Sequence, residues 1–255
     1  MVYSGRVRNP MLNQRAFDVP GAHDPMTLNG VLGKSAFLIG LVLLSATALV
    51  TVTMEAIQTG NTEVFTIAGL LTAGAMIVGF VCVIAAIFVR PEAMAGLSMV
   101  YAVAEGLFIG GLTMVFEFTY PGIAIQAMLA TGGIFVGMLI VYRTGLIPVT
   151  ENLRIAVMSG MIGVVLIYLL SLVFQLGFGL NVPFIHGSGP IGIGFSLFVI
   201  GLGALSLAWD FDFIEHGVEV GAPKQLEWRA AFGLLVTLVW IYIEVLRLIT
   251  KLRNN

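Results

Sequence analysis

An all-α integral membrane protein with seven transmembrane helices is the fold class this sequence predicts. Three observations carry that reading. Hydrophobic residues make up 58% of the chain and charged residues 10%, whereas an ordinary soluble domain is about a quarter charged. Mean hydropathy is +1.02. The apolar residues also gather into seven runs, each near the ~20 residues that a helix needs to cross the hydrocarbon core. These runs use nearly all of the 255 residues, which leaves no room for a separate water-soluble catalytic domain. The lipid bilayer is therefore the expected surroundings. A net charge of -2, with 12 basic residues that form no stripe, argues against a nucleic-acid partner. The single cysteine, Cys82, lies in an apolar run, has no intrachain partner and behaves as a small hydrophobe.

In chain order, residues 1–34 are polar and contain Pro10, Pro20 and Pro25, which predicts a flexible tail; the membrane domain is read as 35–255. The first run is Ser35 to Met54. Ala46-Thr47-Ala48 within it mimics a signal-peptidase site, but the polar lead is too long for such a signal and the run continues past it, so the helix is expected to be retained. The next five runs are Val64 to Val89, Ala95 to Phe116, Gly122 to Tyr142, Leu153 to Leu176 and Pro190 to Trp209, and the last is Trp228 to Ile249. Gly106 and Gly110, and likewise Gly133 and Gly137, repeat at the four-residue spacing that lets helices approach closely in lipid.

Basic residues in the connections set the expected orientation. Arg6, Arg8, Arg15 and Lys34 precede the first helix; Arg90, Arg143, Arg154, Lys224 and Arg229 lie in alternate connections on the same side. The opposite connections carry Glu55, Glu63, Glu117 and His186 without lysine or arginine. The amino terminus is thus expected to be cytoplasmic. A seventh full crossing places Arg247, Lys251 and Arg253 outside, against the rule, and a segment that enters and returns would keep them inside. Ala230 to Ile249 has no proline to turn a helix within the bilayer, which favours the full crossing.

Charges inside the runs say more than those between them. Glu105 sits near the middle of the third helix, where an ionised carboxylate costs about 3 kcal/mol. It needs a partner from elsewhere, a proton or a bound ion. Glu244 lies in the seventh helix with Arg247 three residues on, close enough to pair. The sixth run ends in Trp209-Asp210-Phe211-Asp212-Phe213-Ile214-Glu215-His216, a concentration of acid where the end of a helix disfavours it. If helix continues, Asp210 and Asp212 diverge and Asp212 meets Glu215 and His216. One reading is a solvated turn; the other is a carboxylate site for a hard cation such as calcium. The stretch His186-Gly187-Ser188-Gly189 lacks the serine-elbow pattern, and no enzymatic activity is expected.

The Trp-Asp-Phe-Asp-Phe-Ile stretch at 209–214, the last helix ending Ile243-Glu244-Val245-Leu246-Arg247-Leu248, and Ala104-Glu105-Gly106-Leu107 in the third helix resemble the bacterial branch of the Bax inhibitor 1 family. That resemblance implies six helices around a central seventh, a bacterial plasma-membrane location, no cofactor, and a pH-sensitive calcium leak. It also implies a pair of aspartates, at the end of the sixth helix and within the seventh, that share a proton and gate the pore. Asp210 matches the first. The position of the second falls at Thr237, so the pair does not carry over intact. Asp212, Glu105, Glu227 or Glu244 could supply the missing acid, with His216 or Arg247 modulating it by titration or pairing. A proton-coupled cation exchanger and a non-transporting scaffold are the competing readings.

Overall fold

The computed structural model describes residues 24–179 and 187–254. Among these residues it is helical throughout, with seven helices long and apolar enough to cross a membrane. They are α1 (Leu28–Thr59), α2 (Thr62–Phe88), α3 (Met94–Thr119), α4 (Ile123–Arg143), α5 (Glu151–Phe178), α6 (Pro190–Glu219) and α7 (Leu226–Arg253). The sole pairing of extended backbone among the described residues is an isolated bridge between Pro25 and Pro223.

The ends of the helices follow from local chemistry. The Thr27 hydroxyl accepts from the Gly30 amide at 3.0 Å and starts α1, seven residues ahead of the expected Ser35, so residues 28–34 belong to helix and not to the polar lead. Residues 1–23, with Arg6, Arg8 and Arg15, lie outside the described part. Gly60 ends α1 with φ 67°, a left-handed conformation open to glycine at little cost. Asn61 and Thr150 cap α2 and α5 through their side-chain oxygens. Pro91 opens a short 3-10 turn ahead of α3, where its missing N–H costs nothing. The Glu117 carboxylate accepts from the Gly122 and Ala124 amides, an acid placed at the positive end of α4.

α6 runs ten residues past Trp209 to Glu219, so the whole acidic stretch is helical. α7 is unbroken over 28 residues, a length of about 42 Å at 1.5 Å per residue. It is one helix, long and apolar enough to cross a membrane, and not a hairpin, and it is the most buried of the seven. Large apolar side chains such as Leu70, Phe80, Leu129 and Val173 stay exposed along the helices, the surface that lipid covers in a membrane.

The chain divides into two compact units, Met1–Gly111 with Phe213–Leu235 and Leu112–Asp212 with Val236–Asn255. In the first, Gly106 and Gly110 face α1: a Cβ at Gly110 would lie 2.8 Å from the Ala46 carbonyl oxygen, so the two backbones touch where a side chain has no room. Tyr101 packs on Phe232 with ring centroids 4.9 Å apart. In the second, Val164, Val199 and Leu202 form a core joined by Tyr168, Phe195 and Trp240. Gly133 and Gly137 have the same spacing as the first pair, yet among the described residues nothing lies within 4 Å of where their Cβ atoms would be. Their expected packing role is not realised.

Candidate functional site

The continuing helix turns the two aspartates of α6 in different directions, as the 100° step between residues requires. Asp210 faces α7. The Thr237 hydroxyl donates to Asp210 Oδ2 at 2.7 Å; Thr237 is buried and Asp210 half-buried. Among the described residues Asp210 forms no ion pair. A neutral hydroxyl therefore stands where the resemblance would put a second carboxylate. One hydrogen bond offsets part of the cost of holding this charge away from water and leaves its charge uncompensated. Phe211, the next residue, is buried against Phe135 and Tyr142 of α4, with centroids 5.6 and 5.7 Å away. That packing fixes the rotation of α6 and with it the direction of Asp210.

Asp212 meets Arg154 of α5 in an ion pair, a partner on another helix that the helical spacing toward Glu215 and His216 does not show. Glu215 and His216 are exposed on the same helix. The side chains of Asp212 and Arg154 are each 26% exposed, so water screens the pair and its role is to tie α5 to α6.

Glu244 is 1% exposed. Its Oε2 accepts from the Tyr168 hydroxyl at 2.9 Å and from Arg247 at 3.4 Å, and the Arg247 guanidinium lies 4.8 Å from the centre of the Tyr168 ring. The pairing expected from the three-residue spacing forms, with an aromatic partner on α5 that spacing on one helix could not show. Lys251, one turn beyond Arg247, is also buried and donates to the Gly192 carbonyl and the Ser196 hydroxyl.

In the other unit, Glu227 is fully buried at the start of α7. Its carboxylate accepts from the amide and the hydroxyl of Thr27, at 2.9 and 3.1 Å, and pairs with Lys34. It lies at the amino-terminal ends of α1 and α7 together, where the partial positive charge of both helices favours an anion. Gly30 leaves the space this carboxylate fills. All of this engages Glu227 in holding the amino-terminal segment. Arg229, two residues on, donates to the Val89 carbonyl at the end of α2, a cation at the negative end of a helix.

Glu105 is 9% exposed and its Oε2 is buried without a hydrogen-bond partner. Thus Asp210, Asp212, Glu227 and Glu244 each have neutral or cationic partners of their own, and among the described residues the buried carboxylate oxygens without a hydrogen-bond partner are Oε2 of Glu105 and Oε1 of Glu244. His186 lies outside the described residues. Tyr168 and Thr27 are not singled out by the sequence, and Lys34 only as a mark of orientation; a tyrosine in the middle of an apolar run is the signal that marks the first of them.

Seven spanning helices, carboxylates embedded among them and a hydroxyl-bound aspartate on the sixth define the class: a polytopic α-helical membrane protein with intramembrane acids. A family model described as Bax inhibitor 1 like matches residues 9–254, and the chain belongs to that family. No curated protein and no solved structure matches it.

Proposed function

We propose that this protein is a pH-sensitive cation leak, with calcium as the transported ion, in which Asp210 is the gating carboxylate. The amino terminus is on the cytoplasmic side of a bacterial plasma membrane, there is no enzymatic activity, and no cofactor is resident. The observation that carries the reading is the contact of Asp210 with Thr237. An acid joins α6 to α7 through one neutral hydrogen bond, with no lysine or arginine among the described residues paired with it. Such a group exchanges a proton for a cation with little rearrangement, and each exchange changes the strength of the joint between two spanning helices. Asp212, Glu227 and Glu244 are structural in this scheme, since each has a cation or several donors in place.

Calcium flux into dye-loaded liposomes, from acid to slightly alkaline pH, tests it, with Asp210→Asn beside the unmodified chain and both shown folded and equally inserted. A pH-dependent flux that the variant loses or releases from pH control supports the leak. No flux above protein-free liposomes at any pH would remove it.

A proton-coupled exchanger is the second reading, and buried Glu105 favours it, because intramembrane acids carry protons in pumps. An exchanger stops when the opposing proton gradient is collapsed; a leak continues. A non-transporting scaffold would show unchanged flux and altered folding in Asp210→Asn.

A further inference from the structure

Glu105 occupies the middle of α3, a long way from either end of a 26-residue helix. Its carboxylate leans on α2 at Gly79: a Cβ there would lie 2.7 Å from Oε1 and 3.3 Å from Cδ. Gly79 is a helical residue, so its amide is already committed to the turn before it and offers Glu105 no donor. On the same two helices Ala75, Cys82 and Ala86 of α2 and Ala102 and Ala104 of α3 are buried. The titratable groups that face Glu105 are Cys82 from α2 and Tyr101, one turn back on its own helix. Among the described residues it has no lysine, arginine or histidine as ion-pair partner. Oε2 is left buried and unpartnered.

Three occupants would satisfy that oxygen: a tethered cation, a metal ion or a proton. The first is not supplied by the described residues. For the second, a hard divalent ion needs six to eight oxygen ligands, whereas this wall presents one carboxylate, one phenol and a soft thiol; among the described residues no three metal-ligating side chains come together. A proton requires nothing further. It makes the group neutral, removes the reason a lone carboxylate is costly between helices, and turns the bare acceptor into a hydroxyl.

We propose that Glu105 is a proton-binding site inside the membrane span, taking up and releasing H⁺ and not a divalent cation. It is a different group from the Asp210 site, in a different compact unit, and it gives the protein a means of responding to protons that does not depend on Thr237. Gly79 is the residue that makes the site, because any larger side chain there displaces the carboxyl.

The test uses the full chain in liposomes and a hydrophobic carbodiimide, dicyclohexylcarbodiimide. A protonated carboxyl adds across the reagent and rearranges to a stable N-acylurea, so the peptide gains the whole reagent mass with no leaving group. Peptide mass spectrometry reads the modification at Glu105, with Glu227, buried but paired with Lys34, as an internal control. The expected result is modification at Glu105 that falls several-fold as pH rises, is unchanged by millimolar calcium, and disappears in Glu105→Gln. Protection by calcium at constant pH would make the site a metal site and overturn the proposal. Where the reagent leaves Glu105 unmodified, infrared spectroscopy decides: a protonated-carboxyl carbonyl band present in the unmodified chain and missing in Glu105→Gln supports the proposal, and identical spectra overturn it. Neither readout involves calcium flux, so failure of the leak leaves this result standing, and the reverse also holds.

Discussion

Thr237 donates its hydroxyl hydrogen to Oδ2 of Asp210 across 2.7 Å, and this contact between a neutral and an acidic side chain joins the sixth helix to the seventh. A hydroxyl and a carboxyl differ in one respect that matters here. The hydroxyl binds Asp210 equally whether or not other acids are ionised, whereas a carboxyl in its place would attract it only while a proton is shared.

Thr237→Val removes the donor and keeps the shape. Because Asp210 is half-buried, the loss is expected near the low end for an abandoned acceptor, about 1 kcal/mol, read as a lower unfolding midpoint in detergent. Calcium flux in liposomes is expected to rise in the same variant, since the joint between the helices is weaker. Thr237→Asp is expected to make flux steeply pH-dependent, low in acid where one proton bridges the two acids and high in alkali where they repel.

Glycine substitutions separate two pairs that look alike in the sequence. Gly110→Ala drives a methyl into the backbone of α1 at Ala46 and is expected to destabilise the fold by about 1–3 kcal/mol, the usual cost of overpacking. Gly133→Ala meets open space and is expected to be neutral or stabilising by up to about 1 kcal/mol through helix propensity. Thermal unfolding of the two variants in the same detergent checks both.

Lys34→Met leaves the Glu227 carboxylate fully buried with two Thr27 hydrogen bonds and no cation. About 3 kcal/mol of stability is expected to go, the low end for stranding a buried charge. Glu227→Gln is expected to cost less, because Lys34 is 19% exposed and its ammonium reaches water when the acid is gone. Proteolysis near residue 30 and thermal unfolding together report the order of the two effects.

Breaking the Arg154–Asp212 pair is expected to matter little. With both side chains 26% exposed, Asp212→Asn is expected to cost at most about 1 kcal/mol and to leave the pH dependence of flux as it is in the unmodified chain. A double-mutant cycle with Arg154→Met measures the pair alone. A flux profile that shifts as far in Asp212→Asn as in Asp210→Asn would move the gate to Asp212.

Hydropathy alone located every spanning helix, because burying or lipid-coating about 20 consecutive apolar residues leaves little choice of structure. Helix ends were less legible. Residues 28–34 and 210–219 are polar enough to read as tail and loop, and what makes them helical is the Thr27 cap at one end and, at the other, the aromatic packing of Phe211. Pairing along one helix was readable, as for Glu244 and Arg247. Pairing across helices was not: the partner of Asp212 lies 58 positions away and that of Glu227 about 200, separations over which residue spacing carries no geometric information. For the same reason the sequence could name Thr237 as the place where a second aspartate was missing without showing that its hydroxyl had taken up the contact.

The Glu227 contact also dictates an order of events during synthesis. Thr27 and Lys34 leave the ribosome early and enter the bilayer with the first helix, while the acid that satisfies them is made some 200 residues later. Until then the start of α1 has an unneutralised ammonium and an uncapped amide. The starts of α1 and α7 are thus soldered last, and a nascent protein cut short anywhere before residue 227 announces its incompleteness at the start of its first helix, where a membrane protease or chaperone would find it unfastened.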